Sequence, residues 1–157
     1  MASPAQRFAH DRAQYPGMQV AEILVWRQFL EHNGAAYDRF DYNVSLGPGV
    51  TPPASLVEPY RTASINASKL RIDAVGWQGS TPTLFEVERY AKPRSVGQLL
   101  TYLALWEDQY QTSISPALVL VCADYSPMII PATVAHGINL VVYPVDFSAL
   151  APARLQS

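Results

Sequence analysis

Seven consecutive residues, Ala117-Leu118-Val119-Leu120-Val121-Cys122-Ala123, carry no charged or hydrogen-bonding side chain apart from one thiol. A strand with one wet face alternates apolar and polar residues; an unbroken aliphatic run marks a strand covered on both faces. The run is far shorter than the ~20 residues a membrane helix needs. A strand buried on both sides requires helices above and below its sheet. Cys122, the only cysteine, lies inside this run, so no internal disulfide exists and the thiol reads as a small buried hydrophobe.

The flanking sequence supplies those helices and further strands. Val20, Ile23, Leu24 and Leu30 recur at helical spacing through 18–33, and Asn33-Gly34 is a stop signal. Residues 36–46 read as a strand closed by Gly47-Pro48-Gly49. Residues 47–68 carry Pro48, Pro52, Pro53 and Pro59 and read as a long Pro-rich loop, a flap or interaction arm unless an element hides in it. Two strands, 69–77 and 83–90, form a hairpin about Gln78-Gly79-Ser80-Thr81-Pro82. A helix follows over 94–111 with Val96, Leu99, Leu100, Leu103 and Trp106 on one face and Ser95 as its candidate cap. After the aliphatic strand come a short helix or turn near 128–136 and a last strand over 138–145, interrupted by Pro144.

The element order α-β-β-β-α-β-α-β predicts an α/β (α+β) fold with a central mixed sheet flanked by helices. Its length of 157 residues suits a single domain over 18–146, with an N-terminal arm at 1–17 and a C-terminal tail at 147–157. Residues 1–17 lack the apolar core of a secretory signal, so the expectation is a cytoplasmic protein with no membrane partner, or a virion-associated one if the chain is of phage origin.

Charge is scarce: 15% of residues against the ~25% usual for soluble domains, with a net charge of −2. Any contact with nucleic acid must therefore come from a local patch. One exists, because Lys69, Arg71, Arg89, Lys92 and Arg94 are five of the eleven basic residues. They surround three acids placed inside strands. Asp73 sits in the first hairpin strand, and Glu86 and Glu88 sit in the second. A charge hemmed by aliphatic neighbours is costly unless compensated. Residues two apart share a sheet face, so Glu86 and Glu88 project together while Val87 points away. If the strands pair, Asp73 comes near Glu86, and crowded carboxylates suit a hard divalent cation, Mg²⁺ or Mn²⁺. The simpler alternative is a set of ion pairs with Arg71, Arg89 or Arg94 on a wet sheet face. His10, His32 and His136 have no zinc-ligand spacing, and no P-loop or nucleophile elbow occurs.

Arg71-Ile72-Asp73-Ala74-Val75, then Leu84-Phe85-Glu86-Val87-Glu88, then Gly97-Gln98-Leu99-Leu100-Thr101-Tyr102-Leu103 resemble the PD-(D/E)xK nuclease superfamily, over roughly residues 18–124. The resemblance implies a restriction-endonuclease-like αβββαβ core and metal-assisted phosphodiester hydrolysis. It implies that Asp73 and Glu86 bind the metal, that Glu22 on the preceding helix adds a carboxylate, and that Gln98 opens a Q-x-x-x-Y helix. Two positions depart from the pattern. Ile72 replaces the motif Pro, and Glu88 replaces the motif Lys, shifting the expected chemistry toward a second metal or a carboxylate base, or toward a cation displaced to Lys92. The implied partner is nucleic acid, DNA above all. The alternative is a catalytically silent nuclease fold serving as a structural subunit, such as a phage virion component (head–tail neck or capsid-associated) or a mobile-element assembly protein. Such a subunit would be homo-oligomeric or part of a larger assembly.

Overall fold

The computed structural model describes residues 13–150. The arm expected over 1–17 and the tail expected over 147–157 lie mostly outside them. Helix α1 (Val20–Asn33) opens with the Glu22 carboxylate accepting the Gln19 backbone N–H at 2.8 Å, which closes the first turn. It stops at Asn33-Gly34 as expected, but by tightening into a 3₁₀ turn over Gly34–Ala36; Gly34 keeps a right-handed φ of −61°. Strand β1 spans Arg39–Leu46.

The 47–68 stretch is not one long loop. Its second half forms helix α2 (Tyr60–Ala67), which no sequence pattern revealed because the helix buries no residue and so has no apolar stripe. Glu58 holds its first turn through the Thr62 N–H and hydroxyl, at 3.3 and 2.9 Å. Strands β2 (Leu70–Gln78) and β3 (Thr81–Ala91) form the hairpin. The turn is tighter than expected, with Gly79-Ser80 alone at the tip, Gly79 at φ +60°, and Pro82 inside β3 opposite Trp77. Helix α3 (Pro93–Tyr110), β4 (Ala117–Tyr125), α4 (Ile130–Ala135) and β5 (Ile138–Val142) complete the chain; β5 ends before Pro144, short of the expected 145.

The five strands lie in sequence order, with β1–β2–β3 antiparallel and β3–β4–β5 parallel. The result is a mixed sheet with flanking helices, of the α+β class. Strand β4 is covered on both faces, as its composition demands. Leu118, Leu120 and Cys122 pack with Val96, Leu99 and Trp106 of α3, whereas Val119, Val121 and Ala123 pack with Ile23, Trp26 and Phe29 of α1. On the α1 face Phe85 is enclosed by Trp26, Phe29 and Tyr37, at ring-centroid distances of 5.1, 5.0 and 5.6 Å. Gly76 lets these rings close in, since a Cβ there would lie 2.7 Å from Tyr37 and 2.9 Å from both Phe40 and Phe85.

One irregularity prepares the site. Residues two apart in a strand share a face, yet Phe40 and Tyr42 pack toward α1 while Val44 and Leu46 pack toward α3. Ala74 and Ile72 on β2 divide in the same way. The reversal falls at Asn43, whose φ of 52° is left-handed, and at Asp73 opposite it; this pair is missing from an otherwise regular register. A kink of this kind redirects a side chain where a regular strand could not.

Candidate active site

Strand pairing between β2 and β3 runs from Gln78↔Thr81 to Ala74↔Phe85, so Asp73 and Glu86 are next in register. There the ladder gives way to a side-chain bond: the Asp73 carboxylate accepts the Val87 N–H at 2.8 Å. Glu86 is 4% exposed, and its Oε2 is buried with no hydrogen-bond partner. None of Asp73, Glu86 and Glu88 forms an ion pair with Arg71, Arg89 or Arg94 among the described residues; Arg39 pairs with Asp41 at 2.8 Å on the far part of the sheet. The wet-face salt-bridge reading is thereby displaced. Arg71 instead donates to Ser45 Oγ at 2.8 Å, and the Arg89 guanidinium lies over the Phe147 ring at 4.4 Å.

Burial makes these carboxyls weak acids. Desolvation pushes Asp73 up to about 7; the Val87 N–H opposes the rise, and the charges of Glu22 and Glu88 reinforce it. Desolvation, then the charges of Asp73 and Glu88, push Glu86 up to about 9. Glu88 is also raised by burial, although the Ser95 hydroxyl, Lys92 and Arg94 hold it down.

These side chains share one cleft of about 500 Å³, lined by Glu22, Asp73, Glu86, Glu88, Lys92 and Gln98, with Arg89 and Arg94 on its wall. The sequence-derived acids, Gln98 and three of the five patch residues, Arg89, Lys92 and Arg94, are thus brought together. Lys69 and Arg71 are not in this lining, because the β2 kink at Asp73 turns the start of the strand away. Glu22 lines the cleft while serving as the first-turn carboxylate of α1. Gln98 reaches Tyr102 Oη at 3.5 Å.

One residue of the site was assigned another role from the sequence. Ser95 was expected as the cap of α3, but that position belongs to Lys92. The fully buried Ser95 hydroxyl accepts the Lys92 N–H at 3.1 Å and donates to Glu88 Oε1 at 3.2 Å, tying the helix start to the motif strand. Tyr102, the tyrosine of the Q-x-x-x-Y pattern, is buried, and its hydroxyl lies beside Glu86 while donating to the Arg71 carbonyl at 2.9 Å. Tyr90 and Gly17 line the cleft without any sequence signal.

No protein-family model matches the chain, and no curated protein does. The chain is similar to a repair endonuclease from Pyrococcus abyssi, known from its crystal structure, at 11% identity and a TM-score of 0.45, over 76% of this chain and 46% of that one. It spans less than half the length of that protein.

Among the described residues no group of three or more His, Cys, Asp and Glu side chains is assembled to hold a metal ion. A complete protein cage is therefore absent from them, but Mg²⁺ does not need one. It keeps several waters and takes one or two carboxylates plus substrate phosphate oxygens. Asp73 with Glu86 fits that requirement, since one Glu86 oxygen is buried without a partner. Among the described residues no helix is long and apolar enough to cross a membrane.

Proposed function

We propose that this chain is a metal-dependent nuclease that hydrolyses phosphodiester bonds in DNA, with Asp73 and Glu86 holding Mg²⁺ or Mn²⁺. The observation that carries this reading is Glu86 Oε2, a buried carboxylate oxygen with no partner, facing a second carboxylate, Asp73, at the position next after Ala74↔Phe85. Two buried carboxyl groups side by side cost stability that a structural role would not require, and the Val87 N–H on Asp73 offsets that only in part. A cation bound there would polarise the scissile phosphate and lower the pKa of a coordinated water.

The chain's own groups supply the rest. Val87 N–H fixes the Asp73 carboxylate. Glu88, anchored by Ser95 and raised by burial, would accept a proton from the attacking water. Lys92, Arg89 and Arg94 line the same cleft and offset phosphate charge, and Gln98 orients the nucleophile or the backbone. Lys69 and Arg71 would meet flanking phosphates outside the cleft.

Cleavage of plasmid and oligonucleotide DNA in Mg²⁺ or Mn²⁺ tests the reading. Asp73→Asn should abolish it, and Glu88→Gln should slow it by about 10²–10⁴-fold. Inactivity of the wild type in both metals, or full activity of Asp73→Asn, would falsify it. A second reading, a silent structural subunit, has one observation in its favour: Met128 and Val134 are 83% and 77% exposed near the β5 edge, an apolar surface of the kind that partners cover. A stable assembly unaffected by Asp73→Asn, together with no cleavage, would establish it.

A further inference from the structure

The acidic cleft has a neighbour of opposite character. A second cavity, of about 490 Å³, lies beyond the carboxyl ends of β3, β4 and β5 and shares Arg89 and Tyr90 with the first. Its walls are mainly Val142, Pro144, Val145 and Phe147, with Asp124 as its acid. The crevice outside the carboxyl ends of parallel strands is where open sheets of this kind take ligands. Tyr90 is 46% exposed at the junction of the two cavities, and Arg89 stands beside it with its guanidinium over Phe147. Among the described residues Arg89 is the one cation lining this cavity, and its guanidinium is engaged over Phe147, so a phosphate placed there would meet Asp124 with little compensation. A neutral planar group would meet aliphatic and aromatic walls, a guanidinium plane to stack on, and a carboxylate that can accept from an exocyclic amine.

We propose that this second lobe receives an unpaired nucleobase adjoining the phosphodiester held in the acidic cleft, so that the substrate is single-stranded or splayed at the site of cleavage. The assignment rests on the nuclease reading above and adds its substrate class. Arg89 marks the boundary: phosphate on the side of the acids, base on the side of Phe147. In a continuous duplex the bases are stacked and paired, and none can enter the lobe without being extruded, which costs a few kcal/mol.

Fluorescence anisotropy without divalent cation tests the lobe independently of catalysis. The probes are a labelled single-stranded DNA oligonucleotide, the same strand in a blunt duplex, and a single strand carrying abasic sites. The intact single strand should bind more tightly than either of the others. Tyr90→Ala and the gentler Phe147→Leu should each weaken single-strand binding, by up to about 5- to 150-fold for full loss of a stacked base, and Phe147→Leu should leave duplex binding unchanged. Abasic DNA, which needs no change in the protein, guards against misfolding of the variants. Equal affinity for single strand and duplex, or indifference to abasic sites, overturns the proposal and leaves the nuclease reading standing. The stated preference with no cleavage in Mg²⁺ or Mn²⁺ supports the base lobe and overturns the nuclease reading instead.

Discussion

At Glu86, folding and the proposed chemistry pull in opposite directions. The unfolded chain leaves Asp73 and Glu86 near 3.8 and 4.5, while the fold raises them to about 7 and about 9. A carboxyl with a raised folded pKa binds its proton more tightly when native. Its contribution to stability is complete below the unfolded pKa and is lost as pH rises through the folded one. In EDTA, therefore, the melting temperature should fall between about pH 4.5 and 9, the window these shifts define. Glu86→Gln, which removes the buried charge and keeps the shape, should flatten that fall and exceed the wild type at pH 9 by about 1–3 kcal/mol. Thermal melts of both proteins across pH check this, and a wild-type Tm that climbs over the window would contradict it. The acids were legible in the sequence because a charge between aliphatic strand residues demands a reason. The contacts of Ser95 and Tyr102 were not. A serine at a helix start looks like a cap and the tyrosine of a Q-x-x-x-Y helix shows no partner in the sequence, whereas the groups they bond, Glu88 and the Arg71 carbonyl, come from other elements. Gly76 was equally silent, its importance being three rings brought from β1, β3 and the turn before β1. Gly76→Ala should cost about 1–3 kcal/mol in chemical denaturation by forcing those rings apart; a neutral effect would mean that they move freely.

The elements differ in how firmly the fold holds them. Strand β4 is sealed on both faces, and its aliphatic run announced this, whereas α2 buries nothing and left no periodic trace. The two should mark opposite extremes in native-state hydrogen exchange, with the Tyr60–Ala67 amides exchanging fastest among the helices and Leu118–Ala123 slowest in the molecule. Comparable protection in both would show that α2 is braced by something outside the described residues. The start of α3 is intermediate and functional. Ser95→Ala removes the acceptor for the Lys92 N–H and the donor to Glu88 together. It should lower stability by about 1 kcal/mol and reduce cleavage while leaving DNA affinity nearly intact, since Lys92 and the arginines remain. An equal loss of affinity would place Ser95 in binding instead.

For the molecule as a whole, the three-layer plan follows from a few patterns: one doubly buried strand, two helical stripes and a hairpin. The kink at Asn43 and Asp73 escaped them, because alternation alone cannot tell a strand that changes face from one that does not. That kink helps explain why Lys69 and Arg71 fall outside the cleft, and why the positive wall is made by Arg89, Lys92 and Arg94 from the far end of β3 and the start of α3. The cleft unites α1, β2, β3 and α3, so its geometry depends on the whole fold. The central claim concerns the cation, and Mn²⁺ binding measured by loss of the free-ion electron paramagnetic resonance signal tests it most directly. The wild type should bind Mn²⁺ at a site that Asp73→Asn and Glu86→Gln each weaken by about tenfold or more, or 1.4 kcal/mol. Binding undiminished in both variants, or absent from the wild type, would contradict a cation site at these two carboxylates.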